Sequence, residues 1–300
     1  MLFNYQIEYR HLNYFLAVAE TLHFRKAAEK LFISQPGLSR QIKELETNLN
    51  IKLFERNNRN VTLTHTGMYL KDALTKNLKS LDTILHHAKL LNDGKDGQLN
   101  FGYVGSAMQN IIPQLLLRFT KTHPNILFSL KEMDNNKQIE GLLLQDIDIG
   151  FVRQEKVPKG ICRLPLLEEP FCLVLPANHP SNSKNFKNLL QFKTESFILF
   201  DPEYSASYYD KVMDIFQDSG FSPLVSHNTI HAGSIYKLVE NGFGISIVPK
   251  SLQTKNNVSI KFIELNNIKQ RTTLSAIWNT ENKNPILGKI LNLIKMLDIG

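Results

Sequence analysis

The sequence predicts an α+β multidomain chain: an α-rich winged helix-turn-helix and a long linker helix, followed by two α/β, Rossmann-like lobes. Three observations predict it. Apolar residues recur at helical spacing through the first fifty positions and give way to two short strand-like runs; a heptad stripe follows; and from Gln98 onward strand and helix patterns alternate. The length of 300 residues is about twice the ~150-residue prior for one domain, so two or three compact units are expected. With 42% hydrophobic and 21% charged residues the chain is ordinary in globular composition and too apolar for a disordered one. No apolar run approaches the ~18 residues of a membrane span, so no membrane partner is expected. The opening MLFNYQIEYR lacks the basic-then-apolar order of a secretory signal, and a cytoplasmic location is expected. Cys162 and Cys172 are too few for a disulfide scaffold and read as buried thiols, with a redox role left open. The net charge of +7 is compatible with a polyanionic partner but is spread along the chain, so placement must carry the reading.

Within the N-terminal module, apolar residues at 12, 15, 16, 19 and 22 mark a helix with one inward face. A short helix is expected over about Arg25 to Leu31, with Ala27, Ala28 and Leu31 for close packing. A third opens at Ser34, a good N-cap, with Pro36 in the first turn, where its missing N–H costs nothing. Leu38, Ile42, Leu45 and Leu49 then point inward, and Gln35, Ser39, Arg40 and Lys43 outward. The turn Phe32-Ile33 joins the last two helices as a helix-turn-helix, and the runs 52–55 and 61–64 make a two-stranded wing around Arg56 to Asn60. Gln and Arg can each form two-point hydrogen bonds with base edges, and Arg56 and Arg59 suit phosphates or the minor groove. A solvated polar face on a small helical domain fits the same residues.

The stretch from Arg10 to Gly67 contains AVAE, AAEKL, SQPGLSRQIKELE, LFER and a closing T-x-x-G, and in this it resembles the N-terminal domain of the LysR-type transcriptional regulators. The resemblance implies double-stranded DNA as a partner. Gln35, Pro36, Ser39 and Arg40 take the recognition-helix positions, Ser34 and Lys43 complete the expected DNA-facing set, and Arg56 and Arg59 belong to the wing. One departure is Arg25, where the family usually carries Ser or Thr as a helix cap; its loss should cost roughly 0.5–2 kcal/mol unless something compensates.

Further on, Leu74, Leu78, Leu81, Leu85 and Ala88 form a heptad seam on a helix from about His65 to Leu91. Such a stripe either packs on the chain's own core or meets a partner helix. By the resemblance it is the linker helix of a homo-oligomer, dimer or tetramer, that places two recognition helices on two half-sites. The expected boundaries are 8–65 for the DNA-binding domain, 66–92 for the linker helix, 93–97 for a hinge, 98–168 with 272–298 for lobe I, and 169–271 for lobe II.

In the lobes, strands are expected at 99–104, 126–133, 147–152, 171–175, 196–200, 244–248 and 272–278. Helices are expected at 108–122, 137–145, 185–192, 207–219, 231–241 and 285–297. This grammar resembles the periplasmic-binding-protein-like effector domain of the same regulators, with the chain crossing between lobes near 168–170 and 268–271. The resemblance implies a small-molecule effector in the cleft, anionic by expectation, with Ser106, Ala107, Asn135, Arg153, Pro202, Tyr204 and His231 around it. Each has a structural alternative: Ser106 and His231 as helix caps, Arg153 as half of an ion pair. Asn135 stands where related regulators of aromatic-compound breakdown often carry a hydroxyl. No G-x-S-x-G elbow, phosphate loop or dinucleotide fingerprint occurs, so no enzyme and no cofactor is expected. Neither His86 with His87 nor His227 with His231 is placed to share a metal. A binding module without regulatory output and a general chromosome-organising protein are the other classes the sequence admits.

Overall fold

The computed structural model describes residues 7–56, 61–92, 96–109, 111–254 and 258–296, and the chain divides into two compact units, Met1–Leu85 and His86–Gly300. The first unit opens with helices α1 (Tyr9–Thr21), α2 (Phe24–Lys30) and α3 (Gln35–Leu49), followed by antiparallel strands β1 (Phe54–Arg56) and β2 (Val61–Leu63). Its core gathers one face of each helix: Phe15 and Val18, Ala27 and Ala28, then Leu38, Ile42 and Leu45, all closed off by Leu53 and Phe54. Phe54 meets Phe15 and Phe24 at ring-centroid distances of 5.5 and 5.8 Å, which pins the wing strand to the helices. Glu46 of α3 reinforces this, its Oε1 accepting from the backbone N–H of Leu53 at 2.8 Å.

Local chemistry sets the helix ends. The Ser34 hydroxyl accepts from Gly37 N–H at 3.2 Å and Pro36 sits in the first turn of α3, as its sequence requires. The missing cap at Arg25 is compensated one residue earlier than expected. Helix α2 starts at Phe24, and the His23 ring accepts from Lys26 N–H at 3.4 Å. Helix α4 (His65–Asn92) is capped by Thr64, whose hydroxyl accepts from Gly67 N–H at 2.9 Å. Gly67 itself is obligatory, because a Cβ there would lie 2.2 Å from the Leu53 carbonyl oxygen.

The second unit holds β3 (Gly97–Tyr103), α5 (Gly105–Met108), α6 (Ile111–Thr122), β4 (Ile126–Glu132), α7 (Asn135–Leu143), β5 (Ile149–Val152) and β6 (Ile161–Glu169). The chain then crosses at Pro170 and continues through β7 (Phe171–Pro176), β8 (Ser196–Phe200), α8 (Ala206–Asp218), β9 (Leu224–Thr229), α9 (Ala232–Glu240), β10 (Ser246–Pro249) and β11 (Ile260–Glu264). It returns through β12 (Thr272–Asn279) and α10 (Leu287–Met296). Lobe I is a five-stranded sheet in the order β4-β3-β5-β12-β6, with Phe101, Phe119, Phe151 and Ile290 in its main core. Lobe II combines β10-β7-β11 with the parallel pair β8-β9, over a core of Phe171, Phe197, Val212 and Phe216.

Several expectations are corrected. The helix expected over 108–122 is two helices, α5 and α6, and the one expected over 185–192 is a single 3-10 turn at Leu189–Phe192. The stretch before that turn is held by Asn182 and Asn185 side chains bonding to nearby backbone N–H groups, a local alternative to helix that Asn offers. Strands β6, β9 and β11 were not anticipated. All three are sheet edges, where one side faces water and period-2 alternation is diluted by Arg163 and Pro165, by Ser226 to Asn228, and by Lys261. Of the expected hinge, residues 93–95 lie outside the described residues, and Gly97 is no hinge: it starts β3 opposite Ile126 at φ +134°, where a Cβ would lie 2.3 Å from Ile286.

Candidate nucleic-acid interface and inter-lobe cleft

On α3 the periodicity that buries Leu38, Ile42 and Leu45 leaves the opposite face open. Gln35, Pro36, Arg40 and Lys43 are exposed and Ser39 is half-buried, while Ser34 is exposed with its oxygen engaged in the cap. Among the described residues neither Arg40 nor Lys43 has a carboxylate partner, whereas Arg25 pairs with Glu29 at 3.1 Å and Lys30 with Glu20 at 2.7 Å. The unengaged cations are therefore on α3, beside amide and hydroxyl groups that can hydrogen-bond base edges. Arg56 ends β1 and its side chain lies outside the described residues, as does Arg59 altogether.

The seam on α4 divides. Leu74 packs with Leu70 against the core of the first unit and Leu78 is half-buried, so Leu74 is not an open seam position. Leu81, Leu85 and Ala88 are exposed, and Ile84 and Leu91, absent from the expected seam, are exposed beside them at 57% and 56%.

Between the lobes, Arg153 is the centre of a buried network. At 5% exposure, its Nε donates to the Ser106 hydroxyl at 2.9 Å, Nη1 to Thr272 at 3.1 Å and Nη2 to Ser251 at 3.1 Å, and Nη2 forms an ion pair with the equally buried Glu169. Ser251 closes the ring by donating its hydroxyl to Glu169 at 2.8 Å. Of the two readings of Arg153, the structural ion pair is the one observed. Ser106 caps nothing; its hydroxyl is spent on Arg153. Asn135 does not face the cleft as a wall: buried at 3%, it accepts from Arg153 N–H at 3.3 Å and donates to the Ser205 hydroxyl at 2.8 Å, latching α7 of lobe I to the start of α8 in lobe II.

Tyr204 makes a second bridge. Its hydroxyl accepts from Gly105 N–H at 3.3 Å and donates to Glu132 at 3.3 Å, and burial pushes its ionisation well above the usual tyrosine range. His231 occupies the N-cap position of α9 without a side-chain cap, and its Nδ1 lies 3.2 Å from the same Glu132 carboxylate. Ala107 belongs to the lobe I core, fully buried.

Two adjoining cavities remain. An inner one of about 40 Å³ is lined mainly by apolar groups, among them Val104, Phe200, Tyr208 and Leu252, with Ser106 and Arg153 at its polar edge. An outer one of about 440 Å³ is lined by Glu132, Asp134, Asp201 and Glu203, with Lys137 and His231. Tyr204 and Ile230 line both. Pro202 lines neither. Sequence reasoning did not find Glu132, Glu169, Ser205, Ser251 or Thr272; the only signal for Glu169 is a carboxylate placed just before Pro170 at the first crossing.

Among the described residues there is no cluster of three or more His, Cys, Asp or Glu side chains able to hold a metal, and no helix is long and apolar enough to cross a membrane.

A helix-turn-helix with an open recognition face, joined by a long helix to two lobes that enclose a cleft, defines a ligand-responsive DNA-binding regulator. The chain matches the family described as "Bacterial regulatory helix-turn-helix protein, lysR family" over residues 9–68 and the "LysR substrate binding domain" over residues 92–295. It belongs to the LysR family of DNA-binding transcriptional regulators. It is 31% identical over 273 residues to the uncharacterized HTH-type transcriptional regulator YnfL of Escherichia coli (strain K12), covering 91% of each chain. To the HTH-type transcriptional regulator BenM of Acinetobacter baylyi it is 33% identical over 261 residues, 86% of each chain. Full-length CbnR in complex with its target DNA superposes with a TM-score of 0.68 at 27% identity, covering 97% of this chain and 99% of that one.

Proposed function

We propose that α3 reads a specific DNA sequence through Gln35, Ser39 and Arg40, that Lys43 and the wing arginines hold phosphates, and that the α4 seam joins copies into a dimer or tetramer. The observation that carries this reading is the unpaired polar and cationic face of α3, set against the paired cations of α2. It is supported by CbnR, a protein of the same architecture that has been solved on its target DNA. The domains act as divided by sequence: residues 8–65 on DNA, 66–92 as linker, and lobes 98–168 with 272–298 and 169–271 around a small-molecule effector. The protein works in the cytoplasm as a regulator and carries out no catalysis.

An effector changes the DNA-bound arrangement only by as much as it binds one arrangement better than another. The first test selects binding sites from a random duplex pool and titrates the selected and scrambled duplexes by gel shift at two salt concentrations. A selected sequence whose preference survives higher salt is expected, since backbone binding alone fades with salt. Arg40→Ala should weaken the selected duplex by roughly 1–3 kcal/mol and leave scrambled binding little changed. Equal losses on both duplexes would remove Arg40 from base reading, and an unenriched pool would favour the chromosome-organising alternative.

A further inference from the structure

The inference concerns the chemical class of the effector and rests on the reading of the inter-lobe cleft as its site. An anion entering this cleft needs a free cation or free N–H groups, and the candidates are already engaged. The Arg153 guanidinium is distributed over Ser106, Thr272, Ser251 and the buried Glu169. The Gly105 N–H points to the Tyr204 hydroxyl at 3.3 Å, the Ala107 N–H to the Val104 carbonyl at 2.8 Å, and the Asn135 amide to Ser205. Drawing Arg153 away would leave Glu169, 4% exposed, as an uncompensated buried charge.

The space that remains has a different character at each end. The inner cavity of about 40 Å³ exceeds the ~10–15 Å³ of a single water but falls far below the ~150 Å³ that accommodates a benzene ring. It admits a short apolar group among Phe200, Tyr208 and Leu252. The outer cavity of about 440 Å³ is within the ~300–1,000 Å³ of small-molecule pockets. Its charge is one-sided: four carboxylates face one lysine and one imidazole. Lys137 is drawn to Asp134 at 3.1 Å and His231 to Glu132 at 3.2 Å, and among the described residues no cation pairs with Asp201 or Glu203. Because Tyr204 and Ile230 line both cavities, one molecule can span them.

We propose that the cleft takes a small amine, its apolar end in the inner cavity and its ammonium group held at the mouth beside Asp201 and Glu203. The fixed carboxylates concentrate a cation at the mouth and repel an anion from it.

The experiment uses the full chain and matched probes that differ only in their polar group: n-butylamine, n-butanol and butyrate, with benzylamine, benzyl alcohol and benzoate as a larger set. Binding is read by calorimetric titration and by the thermal shift of the protein. The amine of at least one set should bind about tenfold more tightly than its carboxylate. Asp201→Asn with Glu203→Gln should weaken the amine several-fold and leave the alcohol unchanged, with the ligand-free unfolding midpoint retained. A carboxylate that binds as well as its amine, an amine indifferent to the double substitution, or no binding by either amine overturns the proposal. Gel shift of the same preparation on its selected duplex separates this from the reading beneath it: specific DNA binding intact while the carboxylate prevails overturns the charge class alone, whereas loss of sequence-specific binding overturns the regulator's reading.

Discussion

At Arg153 the difference between a residue's identity and its role is plain. Its type and its position at the end of IDIGFVR marked it as important, but whether it faced a ligand or a carboxylate depended on Glu169, Thr272 and Ser251, which arrive from three other points in the chain. A buried pair is far more costly to break than to replace. Glu169→Gln is therefore expected to lower the stability of the second unit by about 3–5 kcal/mol, and replacing Arg153 and Glu169 together by Met and Leu to cost less than that single change. Urea unfolding of the full chain checks both. Asn135 was legible only as an oddity. The structure gives the physical reason for an amide there, since it accepts from Arg153 N–H and donates both to the Arg153 carbonyl at 3.3 Å and to Ser205, more donors than one hydroxyl supplies. The cysteines follow the expectation of buried thiols in part. Cys172 is fully buried, and burial pushes its thiol up to about 12, while Cys162 is half-buried. With thiolate scarce at Cys172 below that pH, a disulfide-exchange reagent at pH 8 should titrate no more than one thiol in the folded chain and both in denaturant.

Helices with strong caps and clean periodicity were the most legible elements. Ser34, Pro36 and the Leu38-Ile42-Leu45 face placed α3 without help from tertiary contacts, whereas the edges β6, β9 and β11 carry weak patterns because half of each strand meets water. Helix α4 shows a third case, in which the heptad was legible but its use was not. One stripe serves two purposes: Leu74 completes the core of the first unit, and Leu81, Ile84, Leu85 and Leu91 remain bare. An exposed apolar row of this length is costly in water unless another surface covers it. Leu81→Asp with Leu85→Asp should therefore reduce the mass measured by light scattering while circular dichroism keeps its helical signal, and an unchanged mass would refute the role assigned to the seam.

For the molecule as a whole, charge was the least informative property. The +7 excess is dispersed, and what matters is that the α3 cations are unpaired while the mouth of the cleft is acidic. The two units have separate cores, so calorimetry should resolve two unfolding transitions. Operator DNA should raise the one belonging to the first unit, and a cleft ligand the other, because each ligand stabilises the unit that binds it by mass action. A single merged transition that both ligands raise equally would contradict this division. The return of β12 to the sheet, between β5 and β6, carries a further consequence for how the protein is made on the ribosome. The first unit is local in sequence and can fold as soon as it emerges, and lobe II is continuous and can follow. Lobe I, although most of it is synthesised earlier, must wait with β5 and β6 unjoined until residues 272–279 leave the exit tunnel, so the half of the cleft translated first is the last to be completed.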